Sequence, residues 1–419
     1  MTDQKVNTLA WHSQGVHSVL ESSGDAHAIL TALQAHGCLT FPQLASGLFP
    51  AIQTNLVEDK TGYANAWLRD SSCIALGLLA HGENNQAARA VQGVLRVLHE
   101  ALPTIEKALM CDDSHLPDEL RIPSRFEGEE STPRSKWANA QNDAIGYALL
   151  LIGESVYAGN LELTQQDKAL IVHVLEYLEH IRYWEDEDSG HWEEVRKCNA
   201  SSIGVVLAGI SAIQPILRDS TLIESLTSLG RKALEAILPY ETRGGEHERP
   251  TDAALIFLIE PLGIVKGDMA DRIIADVEDN LAGEIGIARY RGDSYWAPDY
   301  RSHFALGVRA SDFSNESDMQ VRNAYLTPGS EAQWTLFDSL LAIYYARKGG
   351  ATAEKRAQYY LLRALGQIIE VSAGEWRMPE AFFRECGNWV PNDHVGLLWA
   401  QVNLLRAIDA CSDLFPLSV

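Results

Sequence analysis

Residues 148–159 read ALLLIGESVYAG, and residues 165–181 read QQDKALIVHVLEYLEHI. Wound as helices, the two differ in kind. The first is apolar on nearly every side. The second carries one apolar stripe, with Gln, Asp, Lys and Glu on its remaining faces. A helix that is apolar all round has to be enclosed by neighbours, whereas a single stripe needs one packed face. Only five residues, NLELT (160–164), join the two stretches, so they predict a helical hairpin with an inner and an outer member.

The same alternation continues along the chain. DAHAILTALQAHG (25–37), ANAWLRDSSCIALGLLAHG (64–82) and NQAARAVQGVLRVLHEAL (85–102) carry apolar residues at three- and four-residue spacing. Comparable stretches lie near 140–158, 164–183, 199–213, 221–237, 251–263, 268–280, 330–347, 353–372 and 393–411. Roughly twelve helices, with boundaries good to a few residues, suit six hairpins closed into a toroid. The expected fold is therefore all-α, an (α/α)6 barrel. It forms a single domain over residues 1–419, with 1–20 as an N-terminal extension. LTFPQL (39–44) and IGIARYRG (285–292) are the candidate short strands.

The long connections are 103–138, 184–198, 238–250, 284–329 and 373–392, rich in Trp, Tyr, Arg, Asp and Glu. Long irregular loops in a compact domain are functional or disordered, and their aromatic content argues against disorder. Gathered at one end of a helical ring, they make a pocket of carboxylates, guanidiniums and indoles. Such a lining suits sugars, because rings pack on flat aromatic faces and paired hydroxyls meet fork-like charged groups.

Composition narrows the partners. The 419 residues carry 57 acids against 34 bases, a net charge of −23, which disfavours nucleic acid and anionic membrane surfaces. The six cysteines are dispersed without a CxxC pair, no apolar run reaches the length of a membrane span, and the N-terminus has no secretory pattern. These features predict a cytoplasmic protein with reduced thiols; nothing in the sequence sets an oligomeric state. GxSxG, HExxH and GxxxxGK motifs are absent, and the EDED run at 185–188 lacks the spacing of a calcium loop and reads as solvated.

Five stretches carry the candidate chemistry. In NAWLRDSS (65–72), Trp67, Arg69 and Asp70 stand at a helix start, where Asp70 and Ser71 read either as caps or as an Arg–Asp pair presented to a ligand. In KWANAQND (136–143), Trp137 precedes Gln141, Asn142 and Asp143, more polar groups than one cap needs. HWEEV (191–195) sets Trp192 against Glu193 and Glu194. Adjacent carboxylates point apart, and one beside an indole in a dry pocket has the raised pKa of a general acid. IARYRGDSYWAPDY (287–300) crowds Arg289, Tyr290 and further charges into what reads as a binding loop. In GEWRMPEAFF (374–383), Glu380 follows a stiffening proline.

Taken in order, these stretches resemble the glucoamylase-like glycoside hydrolases of family fifteen, and also the glucoamylase-like domains of phosphorylase kinase regulatory subunits. The family's Trp-x-Arg-Asp is matched by residues 67–70. Its Trp followed by Gln-x-Asp is matched by Trp137 and 141–143, its Trp-Glu-Glu-Val by 192–195, its Arg-Tyr…Asp-x-Tyr by 289–295, and its C-terminal Glu by Glu380. The matches run from about residue 60 to 400, and the family's (α/α)6 barrel agrees with the helix pattern. The resemblance implies an inverting, exo-acting α-glucosidase that releases β-glucose from small α-glucosides or oligosaccharides and needs no metal or cofactor. Glu193 is implied as general acid and Glu380 as general base. Arg69, Asp70 and Arg289 are implied to grip the nonreducing-end glucose, Trp137 to stack near the scissile bond, and Glu194 to meet the next sugar. Trp67, Gln141, Asp143, Trp192 and Tyr290 complete the implied substrate-binding set. No room is expected for a starch-binding domain, which points to small glucosides.

Three departures keep a second reading in view. His191 stands where an apolar residue is usual, Ala381 follows Glu380 where Gln is common, and MPEAF with EAQWTLFDSLLA (331–342) is closer to the kinase-subunit branch. That branch implies a noncatalytic, glucoside-binding regulatory module.

Overall fold

The computed structural model describes residues 12–23, 25–54, 59–134, 137–217, 220–245, 247–306, 308–309 and 315–417. Of the expected N-terminal extension, residues 1–11 lie outside the described set, and the rest leads into α1 (Gln14–Ser23). Among the described residues, no helix is long and apolar enough to cross a membrane.

Six helices form an inner ring: α3 (Leu68–His81), α5 (Asn142–Tyr157), α7 (Ala200–Ile213), α9 (Leu255–Ile259), α13 (Leu336–Lys348) and α15 (Leu398–Ala410). Each packs on the next in that order, and α15 returns to α3, so the ring closes. Around it stand α2 (Ala26–Ala35), α4 (Asn84–Leu109), α6 (Gln165–His180), α8 (Ser220–Ile237), α10 (Gly267–Leu281) and α14 (Ala351–Gly366). The hairpin quoted above is α5 and α6. In α5 even Asn142, Asp143 and Ser155 are buried, as enclosure requires. α4 shows the outer pattern, burying Ala87, Ala90, Val91, Val94, Leu98, Ala101, Ile105 and Ala108 along one stripe. α6 begins with a reciprocal capping box between Thr164 and Asp167.

The inner helices are held close by missing side chains. A Cβ on Gly146 of α5 would stand 2.7 Å from the Val205 carbonyl carbon and the Val206 amide nitrogen of α7. A Cβ on Gly209 would stand 2.4 Å from the Gly146 carbonyl oxygen. The two backbones are in contact, and only glycine allows it.

Several boundaries differ from expectation. α4 continues through Pro103 to Leu109, so its final turns are helix rather than loop. The 251–263 stretch contracts to α9, and 367–372 leaves α14 for β5 (Ile369–Ser372), paired with β6 (Glu375–Arg377). Residues 39–44 form no strand, and 285–292 contribute only isolated bridges to Trp334, Ala282 and Asp252. The loop 284–329 holds two short helices, α11 (Tyr300–His303) and α12 (Glu316–Asn323). Small sheets brace the loop end. β1 (Ala66–Trp67) pairs with β2 (Arg125–Glu127), which pairs with β3 (Thr132–Pro133). β4 (Gln333–Trp334) pairs with β7 (Ala381–Glu385), which pairs with β8 (Asn388–Pro391).

The EDED run is not a solvated loop. Its residues alternate: Glu185 and Glu187 face water, while Asp186 and Asp188 are buried. Asp186 accepts a two-pronged bond from Arg121 at 2.7 and 2.9 Å and a third from Asn142 Nδ2 at 2.9 Å. Asp188 accepts the Asn142 backbone N–H and Asn199 Nδ2. Burial and the nearby Asp143 push its carboxyl up to about 7, Asn199 notwithstanding. The run thus ties the start of α5 to the loop before α7.

Candidate active site

An inner–outer–inner path brings each inner helix back in the same direction, so the N-terminal ends of the ring lie together. The pocket opens there. It is lined by Ala51, Tyr63, Trp67, Arg69, Asp70, His191, Trp192, Glu193, Arg289, Tyr295, Arg322, Trp334, Glu380, Leu397 and Trp399. Four interhelical connections converge on it, together with the first turns of α3 and α15.

Arg69 and Asp70 sit in the first turn of α3, whose N-cap is Trp67; neither acts as a cap. Arg69 is a hub: Nη2 donates to Glu193 Oε1 at 3.0 Å, Nη1 to Asp143 Oδ2 at 3.2 Å, and Nε lies 3.5 Å from Asp70. Burial pushes the Asp70 carboxyl up, the Arg69 guanidinium pulls it back, and it settles at about 6. Glu193 also lies above the ordinary carboxylate range: burial raises it more than Arg69 and Arg125 lower it. Its side chain keeps 19% of its surface exposed, toward the pocket. Its backbone is left-handed, with φ of 56°. That conformation is uncommon without glycine and costs on the order of 1 kcal/mol or more, so the surrounding fold enforces it. The strain aims Glu193 and Glu194 to opposite sides.

Glu380 occupies another wall, ahead of β7. Its Oε2 accepts from Asn392 Nδ2 at 2.6 Å and His394 Nδ1 at 2.7 Å, with the Tyr295 hydroxyl at 3.3 Å. Among the described residues, Oε1 accepts a hydrogen bond from the Tyr63 hydroxyl alone, at 3.2 Å, which leaves that oxygen able to accept another proton donor from the pocket. The Tyr63 ring stacks on His394 at 3.6 Å. Burial raises the Tyr63 phenol well above its usual value, and Glu380, Tyr295 and Glu193 add to the effect, so Tyr63 feels both carboxylates.

Trp192 forms a dry side wall. Its indole N–H donates to Asp252 at 2.9 Å, and its ring lies 5.6 Å from Trp334 and 5.1 Å from the Arg289 guanidinium. His191, stacked on Phe257, bonds Ser201 and Tyr147, and burial lowers it to about 4, so it is a neutral, wholly protein-satisfied group.

Of the residues singled out from sequence, Trp67, Arg69, Asp70, Trp192, Glu193, Arg289 and Glu380 line one pocket. Trp137, Gln141, Asp143, Glu194 and Tyr290 stand behind its wall. Trp137 is buried against Arg125, whose guanidinium lies 4.2 and 4.4 Å from the Trp67 and Trp137 rings. Trp137 is packed with Trp67 and Ala51 in one small apolar cluster. Asp143 is the counter-charge of Arg69. Glu194 is fully buried and holds Arg249, Arg289, Arg322 and Tyr290. The residues not singled out are Tyr63, Tyr295, Arg322, Trp334, Leu397 and Trp399 on the wall, with Asn392 and His394 behind Glu380. Tyr295 and Trp334 lay within quoted stretches. The others carried no distinguishing spacing, although the polar pair in PNDH (391–394) directly after a hairpin was a usable signal.

The model of glycosyl hydrolases family 15 matches residues 26–225. The isomaltose glucohydrolase of Kribbella flavida is 25% identical over 343 residues, covering 72% of this chain and 86% of its own. A glycosidase variant solved in complex with glucose superposes with a TM-score of 0.65 at 19% identity, over 94% of this chain and 96% of that one. The glucoamylase of Saccharomycopsis fibuligera superposes with a TM-score of 0.57 at 14% identity, over 98% of each chain.

Proposed function

We propose that this chain, a glucoamylase-like glycoside hydrolase, is an inverting, exo-acting α-glucosidase for small α-glucosides, with isomaltose the first substrate to try. The isomaltose choice rests on the Kribbella relative's name. The observation that carries the mechanism is the pair of differently set carboxyl groups on two walls of one pocket. Glu193, whose carboxyl burial raises above its ordinary value, holds its proton to higher pH than an ordinary glutamate and delivers it to the glycosidic oxygen. Glu380, steered by Asn392 and His394, presents Oε1 to a water and takes its proton as the oxygen attacks the anomeric carbon. The carbon–oxygen bond to the leaving group breaks, the leaving group departs as the neutral alcohol, and glucose leaves with inverted configuration. That geometry needs room for the water, roughly 6.5–9.5 Å between the two carboxyl groups. No hydrogen bond joins Glu193 to Glu380 among the described residues, and each has its own partners. Arg69 and Asp70 hold the nonreducing-end glucose, and Trp67 and Trp192 supply flat walls.

Glucose release from maltose, isomaltose, kojibiose, trehalose and short maltodextrins tests this directly. Turnover on at least one is expected, with Glu193→Gln and Glu380→Gln each losing roughly a thousandfold or more while staying folded. Saturable binding without turnover would instead make the chain a glucoside-binding module.

A further inference from the structure

Arg125 is a buried cation with no part in the chemistry so far. It is only 2% exposed and stands opposite Trp67 in the β1–β2 pair. Its guanidinium lies between two indoles, 4.2 Å from the Trp67 ring centroid and 4.4 Å from that of Trp137. Nη2 donates to the Gly62 carbonyl oxygen at 3.2 Å, and Nε has no hydrogen-bond partner among the described residues. No carboxylate among those residues forms an ion pair with it, and Glu127, in the same strand, is engaged by Arg134 at 3.2 Å. Taking a charge out of water without an opposite charge is costly, and stacking on indoles offsets only part of that cost. A neutral side chain of similar length would fill the slot without it.

The charges around Glu193 show what such a cation can do. On the side of α3, Arg69 is shared among three carboxylates: Glu193 at 3.0 Å, Asp143 of α5 at 3.2 Å and Asp70 at 3.5 Å. Seen from Glu193, that cluster is one positive charge and two negative ones. Glu380 stands on another wall of the same pocket, and Tyr63, whose phenol is held well above its usual range, brings no charge. The net field favours the protonated carboxyl. Arg125, delivered by β2 behind Trp67, opposes it. Burial and then Arg134 pull the Arg125 guanidinium down to about 10, so it is charged at neutral pH, and Glu193 acts on it ahead of Tyr63 and Glu127. In return, Arg69 and then Arg125 draw the Glu193 carboxyl down against its burial.

We infer that Arg125 is a positioning residue that acts through Glu193: its charge, held behind Trp67 with no carboxylate of its own, sets the pH above which the acid stops delivering a proton. The effect on rate rests on the hydrolytic reading above; the effect on the carboxyl does not.

Two readouts test it. The first is kcat/KM against pH on whichever disaccharide the wild type cleaves fastest. In Arg125→Met the alkaline limb should move up by about half to one pH unit, because losing a nearby cation lets Glu193 keep its proton longer. Arg125→Gln, which keeps a flat group between the indoles, should move it the same way, and it carries the comparison where the Met variant does not fold. Arg125→Lys keeps the charge, so its limb should stay with the wild type even where its rate falls. A residue that only braces Trp67 would lower the rate at every pH and leave the limb in place. That result in the Met and Gln variants overturns the inference, and so does a Lys limb displaced as far as the Met one. The second readout needs no turnover. The Glu193 carboxyl carbon, identified by its absence in Glu193→Gln, is titrated by NMR in protein carrying carbon-13 at its glutamate carboxyls. A higher midpoint in Arg125→Met is expected, and an unchanged or lower one overturns the inference. A wild type that cleaves none of the sugars while Arg125→Met still raises that midpoint removes the hydrolytic reading and leaves the role of Arg125 standing.

Discussion

At Glu193 a left-handed backbone, a raised carboxyl and a guanidinium meet in one residue. The raised pKa has a definite sign for activity. An acid catalyst must be protonated, so kcat/KM holds to higher pH than an ordinary glutamate would allow. It then falls as pH rises through the Glu193 value. Asp70, at about 6, sets an opposite limb if its ionised form accepts the sugar hydroxyls. Below about pH 6 the wild type should lose affinity, seen as a rising KM. Asp70→Asn should show a high KM that no longer responds to pH in that range. Initial rates against pH for the two proteins check this, and an unchanged KM response in the variant would assign the limb to another group. HWEEV was legible as chemistry through the family resemblance, which implied Glu193 as general acid and Glu194 as a contact of the next sugar. The residues alone did not separate the two. Which of two adjacent acids faces the pocket depends on the φ of 56° and on Arg249, Arg289 and Arg322, contributed by segments 55 to 128 residues away.

Between elements, the tightest constraint is the contact of α5 with α7. Gly146→Ala or Gly209→Ala places a methyl group 2.4–2.7 Å from the opposing backbone, where no side-chain rotation can relieve it. Overpacking of this kind costs typically 1–3 kcal/mol. Each variant should therefore shift the urea midpoint downward, whereas Gly159→Ser, whose added atoms meet open space, should lose no more than the cost of its positive φ. A Gly146→Ala midpoint equal to wild type would mean that the ring relaxes by sliding its helices apart. Amphipathic pattern made the outer helices readable, since one stripe is a local property of α4 and α6. Boundaries were less readable where a neighbour decides them. Pro103 sits inside α4 because its turn still buries Ala101 and Ile105. Asp186 and Asp188 turn inward because Arg121, Asn142 and Asn199 await them. Tyr63 went unread because its partners, Tyr295 and Glu380, lie 232 and 317 residues further along the chain.

Over the whole molecule, ring closure is what joins the two carboxyl groups. The loop before α7 carries Glu193, and the segment before β7 and α15 carries Glu380. They share a pocket because α15 packs back on α3, while α2, from the other end of the chain, covers α15 from outside. Counting hairpins was enough to anticipate a toroid; the lining of its mouth was not in the pattern, because α12, β1 and β4 add Arg322, Trp67 and Trp334 to it. The central claim is that the ring places acid and base on opposite faces of one glucosyl group, and the stereochemistry of the first product tests it most directly. Isomaltose, or the preferred disaccharide, should be followed by proton NMR in the first minutes, before the released sugar equilibrates. The account predicts β-glucose as the initial product, drifting later toward the α/β mixture. Initial α-glucose would contradict it, because retention requires a covalent glucosyl intermediate and carboxyl groups only about 5–5.5 Å apart.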